Sequence, residues 1–133
     1  AIGSMRAINS SQATYASSAA SGGYSDDLPT LLLPCPGGGT GFISADLGVA
    51  AAPVKSGDTV TMAAGAGSVA GPNDCNGTAT VTGYYASATA LTLGTTGARG
   101  FATNQGGTIW QDTSGVPPAE AAFAIAGTIS VIQ

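Results

Sequence analysis

The stretch Ala1-Ile2-Gly3-Ser4-Met5-Arg6-Ala7-Ile8-Asn9-Ser10-Ser11-Gln12-Ala13-Thr14-Tyr15-Ala16-Ser17-Ser18-Ala19-Ala20 decides the fold. It contains no proline, and the positions 2, 5, 8, 12, 15 and 19 trace the three-and-four spacing of one helical face. Its larger side chains Ile2, Met5, Ile8 and Tyr15 all fall on that stripe, so an amphipathic helix is predicted with these four residues as its packing face. Gln12 and Ala19 narrow the stripe, and Gly22 and Gly23 offer the left-handed backbone that ends helices, which puts the stop near Ala20 or Ser21. No capping residue precedes Ile2, so the pattern reads as the outer part of a helix that continues upstream.

Beyond the helix, Tyr24 to Gly41 carries Pro29, Pro34, Pro36 and Gly37 to Gly39 and reads as a long loop pinned by Leu31, Leu32 and Leu33. Asp46 to Pro53 allows a short helical turn. Strand-like alternation follows at Thr59 to Met62, Thr78 to Thr82 and Leu91 to Leu93. Phe101-Ala102-Thr103 and Thr108-Ile109-Trp110 flank Asn104-Gln105-Gly106-Gly107 and predict an antiparallel hairpin. Ala122 to Ile132, interrupted by Gly127, reads as one bent strand or a strand with a bulge. The resulting expectation is one α+β domain over residues 1–133, an N-terminal amphipathic helix packed on an antiparallel β-sheet of about four strands. Residues 1–21 form the helix, 22–57 the helix-to-sheet loop and 58–133 the sheet.

Composition narrows the function classes. The chain has 133 residues, and 25 of its apolar side chains are Ala against 3 Phe, 4 Tyr and 1 Trp, so its core must be thin. Charged residues make up 8% and the formal net charge is −4, which leaves no basic surface for nucleic acid or anionic lipid. No stretch reaches the ~20 apolar residues of a membrane span, and the start lacks the zones of a signal peptide.

Cys35 and Cys75 lie in Pro-, Gly- and Asn-rich surroundings that read as exposed loops, where a free thiol is an oxidation liability outside the cytosol. They are expected to form one disulfide, the alternative being two unpaired buried thiols. A bridge over that separation contributes roughly 4 kcal/mol on the chain-entropy model.

Catalytic chemistry is poorly provided for. There is no His, and two Cys cannot build a nitrogen and sulfur metal cluster. The adjacent Lys55-Ser56 is a weak dyad, since neighbours in sequence seldom face one another. Asp26-Asp27 offers a carboxylate pair for calcium coordination or acid-base work but reads first as a solvated turn after the helix, and Asn73-Asp74-Cys75-Asn76 offers oxygen ligands in a loop without the spacing of a calcium hand. Gly37-Gly38-Gly39-Thr40-Gly41 lacks the ending of a phosphate loop. No catalytic residue, cofactor or metal is therefore expected. Asn9-Ser10-Ser11 and Asn76-Gly77-Thr78 match the N-glycan acceptor pattern, a short signal with many chance matches.

The opening Ala1 to Ala16, followed by Gly23-Tyr24 and Leu28, resembles the stretch after the hydrophobic segment in type IV pilins and type II secretion pseudopilins. Gly94 to Trp110 resembles the last sheet hairpin of many pilin-like proteins. The family's cleavage site, methylated Phe and helix Glu are not in the chain, and its cysteine pair usually frames a C-terminal loop rather than joining positions such as Cys35 and Cys75. Adhesive roles of that loop are therefore not carried over. The resemblance implies a structural subunit of an extracellular filament, anchored and polymerised through an apolar helix ahead of Ala1, with the domain alone monomeric. It implies cell-surface localisation, reached through the inner membrane and periplasm. The rival within the class is a pseudopilin. The rival outside it is a secreted carbohydrate-binding domain stacking sugars on Trp110, Tyr84 and Tyr85.

Overall fold

In the computed structural model, which describes residues 2–37, 41–55, 57–90, 99–125 and 127–132, the chain opens with α1 (Ile2–Ser18). Helical spacing puts Met5, Ile8, Gln12 and Tyr15 on one side, and all four are buried. Ile2 is half-buried at the start of the same stripe and packs on the core. The helix ends two residues earlier than the stop near Ala20 that the sequence suggests. Ser21 and Gly22, at φ 51° and 97°, take the left-handed backbone there instead of Gly22 and Gly23.

The segment read as a loop holds more structure than expected. Asp27 Oδ1 accepts the Thr30 N–H at 2.8 Å and Pro29 sits in the first turn, so α2 (Leu28–Leu32) starts on a capped helix end. This turn buries Leu28 and Leu31. Proline excludes helix interiors but suits a first turn, which is why the prolines misled the sequence reading. α3 (Ala45–Gly48) buries Leu47 against the same cluster. Residues 38–40 of the glycine run, the expected strand Leu91 to Leu93, residues 94–98 of the resembling segment and Ser56 of the dyad lie outside the described residues.

Among the described residues the sheet has six antiparallel strands in sequential order: β1 (Val54–Lys55), β2 (Asp58–Ala64), β3 (Tyr84–Ala90), β4 (Gly100–Asn104), β5 (Ile109–Asp112) and β6 (Ile129–Val131). About four strands were expected; the strands the sequence reading did not propose are the edge β1, of two residues and too short for an alternation to show, and the inner strand β3. Met62 faces Ala86, and Ala86 faces Thr103, so their side chains share the face that meets α1. Val60, Ala88 and Phe101 form the next row. The hairpin around Asn104 to Gly107 forms between β4 and β5.

Thr78 to Thr82 is not a strand of this sheet. Between β2 and β3 the chain makes an irregular hairpin whose arms pair through Thr82 N to Val69 O, Gly71 N to Thr80 O and Asp74 N to Thr78 O, each 2.9 Å. Val81 bridges both Ala70 and Tyr24, which ties this hairpin to the segment after α1. The expected Ala122 to Ile132 strand is likewise shortened to β6, preceded by a 3-10 turn at Glu120–Ala122.

The core lies between α1, α2, α3 and the inner sheet face. Tyr15, Met5 and Ile8 meet Val60, Met62, Tyr84, Phe101 and Ile109, with Leu28, Leu31 and Leu47 closing one side. Ala86 and Ala88 in the central strand are small enough to let the helix approach closely.

Candidate functional site

Polar side chains add to the apolar packing of Met5, Ile8 and Tyr15 in fixing α1 on the domain. Asn9 donates to Gly107 O at 3.2 Å and Thr103 Oγ1 at 3.0 Å, and its Oδ1 accepts the Tyr84 hydroxyl at 2.7 Å. Gln12 is fully buried and pairs like a strand with the Ser25 backbone, accepting N–H at 2.9 Å and donating to the carbonyl at 2.7 Å. Its amide also reaches Met62 Sδ at 3.2 Å. Tyr15, 1% exposed, donates its hydroxyl to Asp74 Oδ2 at 2.6 Å. Burial raises the Tyr15 hydroxyl above the ordinary tyrosine value, and the Asp74 carboxylate adds to the rise.

Asp74 organises the tip of the irregular hairpin. Its Oδ1 accepts the N–H of Asn76 and of Thr78, both at 2.8 Å, while Gly77 N–H returns to Asp74 O at 3.0 Å and closes a turn over Asp74-Cys75-Asn76-Gly77. Burial opposes ionisation of Asp74, but the Tyr15 hydroxyl and these two N–H groups outweigh it and hold the carboxyl below its ordinary value. Cys75 within the same turn is disulfide-bonded to Cys35, with 5.5 Å between Cα atoms. Asn76 Nδ2 donates to Pro34 O at 3.1 Å beside that bridge. Tyr15, Asp74 and the disulfide thus join helix, hairpin tip and the 33–37 segment at one place.

On the outer sheet face the β5-to-β6 connection runs as a strap. Glu120 Oε1 accepts Ala66 N–H at 2.6 Å and Oε2 accepts Asn104 Nδ2 at 2.8 Å. Tyr85 donates to Pro118 O at 2.7 Å, and Phe123 stacks on Trp110 with centroids 5.5 Å apart. Gly100 lies directly under the strap, where an added Cβ would overlap Pro117 N.

The residues of the proposed sugar platform are not brought together. Trp110 and Tyr85 face the strap, each beside Phe123, whereas Tyr84 points into the helix side, with its ring edge against Tyr24 at 5.1 Å. Burial pushes the Tyr84 hydroxyl up. Lys55 is ion-paired with Asp46 at 2.9 Å. Asp26 is exposed, and Asp27 serves as the α2 cap. The carboxylate of the second oxygen cluster, Asp74, is occupied by Tyr15 and backbone donors. Among the described residues no three acidic, His or Cys side chains group as metal ligands, no cavity opens, and no helix is long and apolar enough to cross a membrane.

Sequence reasoning missed three of these roles: Gln12 as a buried anchor, Asp74 as partner of Tyr15, and Glu120 as the strap latch. Gln12 alone left a signal, a polar residue standing on the helix stripe. The chain matches no protein-family model, no curated protein and no solved structure.

Proposed function

We propose that this chain is the extracellular globular domain of a pilin-like filament subunit, a structural protein and not an enzyme. The observation that carries the reading is the division of α1. One side is tied to the rest of the domain, by Asn9 to the sheet, by Gln12 to Ser25 and Met62 and by Tyr15 to the hairpin tip, while Gly3, Arg6, Ser10, Ala13, Thr14 and Ser17 line the exposed side. Such a helix belongs rigidly to its own domain and offers a slim outer side to neighbours, which suits helices lying together along a filament axis. The sequence resemblance of residues 1–16 to the pilin spine supports the same assignment. Subunits related by a non-closing rotation polymerise into open helical filaments through repeated contacts, without any pocket. The disulfide is compatible with an extracellular location.

The reading requires an apolar segment upstream of Ala1 in the precursor, which would be the subunit's membrane anchor and filament core. The test is immunogold microscopy of the native cells, with Ala13→Asp and Ser17→Arg variants made in the full-length gene. Labelled filaments that vanish in variants whose domains melt normally are expected. Dispersed surface monomers, or a precursor without an apolar segment, overturn the assignment. Filament length separates a pilus from the short pseudopilus of a secretion machine.

A further inference from the structure

We propose that Asn76 is an N-glycan acceptor. The chain contains two acceptor patterns, Asn9-Ser10-Ser11 and Asn76-Gly77-Thr78, and the fold distinguishes them. Asn9 lies within α1 with both ends of its amide engaged between helix and sheet, by Gly107, Thr103 and Tyr84. A sugar on its nitrogen would have to displace that packing. Asn76 stands at the turn of the irregular hairpin, exposed together with Gly77, and among the described residues its Nδ2 makes one exposed hydrogen bond, to Pro34 O at 3.1 Å.

The chemistry suits the position. An amide nitrogen carries two protons and N-glycosylation consumes one. Nδ2 forms a bond to the anomeric carbon of a lipid-diphosphate-linked oligosaccharide. The bond from that carbon to the diphosphate oxygen breaks, the lipid diphosphate leaves, and the displaced amide proton passes to solvent. The remaining N–H can still donate to Pro34 O, so the sugar is added without breaking the contact that orients the side chain. Gly77, at φ 77°, turns the chain away immediately after Asn76 and keeps side-chain bulk off the acceptor. The site is braced from beneath by the Cys35–Cys75 disulfide and the Tyr15–Asp74 hydrogen bond, so a glycan there extends from a rigid tip. Disulfide formation and transfer from a lipid-linked donor both belong to compartments outside the cytosol, so the two modifications are mutually consistent.

The inference is independent of the filament reading and is tested by peptide mapping with intact-mass measurement of the protein purified from its native cells. A glycan mass on the peptide holding Asn76 is expected. It should persist in Ser11→Ala, which removes the Asn9 pattern, and in Thr78→Ser, and be lost in Asn76→Gln and Thr78→Val, all four with unchanged far-ultraviolet circular dichroism. Unmodified Asn76, a glycan confined to Asn9, or only the much smaller mass change of deamidation at the Asn76–Gly77 bond overturns the proposal.

Discussion

Replacing Asp74 with Ala removes one carboxylate that serves three donors in two parts of the chain. The Tyr15 hydroxyl is the costly loss, because that residue is 1% exposed and its bond to Asp74 is 2.6 Å. A buried donor left without an acceptor costs about 1–3 kcal/mol. The N–H groups of Asn76 and Thr78 lie at the more open turn, where water replaces the carboxylate, and their loss adds about 1 kcal/mol. The expected destabilisation is therefore about 2–4 kcal/mol, or a fall in Tm of about 10 °C for a domain of this size. Thermal melts at pH 7 with the disulfide intact measure it, and a cycle with Tyr15→Phe and the double variant isolates the contact. A coupling of about 1–2 kcal/mol is expected between residues in direct contact. Additivity within about 0.3 kcal/mol, with a negligible Tm shift in Asp74→Ala, would refute the argument.

The same carboxylate predicts an acid limb. Its folded value is depressed, so its contribution is present above the unfolded value near ~4 and is lost as pH falls through the folded value. Asp74→Asn should flatten stability over that window relative to the parent protein, measured by urea midpoints at stepped pH. Gln12→Leu keeps the volume but strands the buried Ser25 N–H and carbonyl, and should cost about 2–4 kcal/mol by denaturant unfolding. The double replacement Cys35→Ala and Cys75→Ala should lower stability by roughly 4 kcal/mol, while a loss below about 1 kcal/mol would show that the Asp74 turn holds the segment unaided. Glu120→Ala should shift Trp110 fluorescence to longer wavelength as Phe123 loosens, at a cost of about 1 kcal/mol in Tm analysis. Gly100→Ala should displace the strap more severely, by about 1–3 kcal/mol, because the added methyl meets backbone rather than a movable side chain.

How far the sequence revealed this arrangement depended on side-chain size. Met5, Ile8 and Tyr15 announce their helix face by period alone, and the glycines after Asn104 announce the β4–β5 turn. β3 stayed hidden because its inward residues after Tyr84 are Ala86 and Ala88, whose weak strand preference blurs the alternation. Thr78 to Thr82 gave the opposite error, a clean alternation satisfied locally by Val69 and Gly71 instead of by the sheet. For the site, loop composition around Cys35 and Cys75 pointed to a pairing. Nothing near Asp74 pointed to Tyr15, 59 residues away, because a single hydrogen bond leaves no periodic trace.

Asn9, Gln12 and Tyr15 follow one another at three-residue steps, so their attachments succeed each other about every 4.5 Å along the rod. A tug parallel to the axis stretches all three bonds at once, and a slip of one turn, about 5.4 Å, ruptures every one of them together. The domain is thereby built to resist shear as a unit, passing tension from helix to hairpin tip and across the sulfur bridge without letting the rod slide through its sheet.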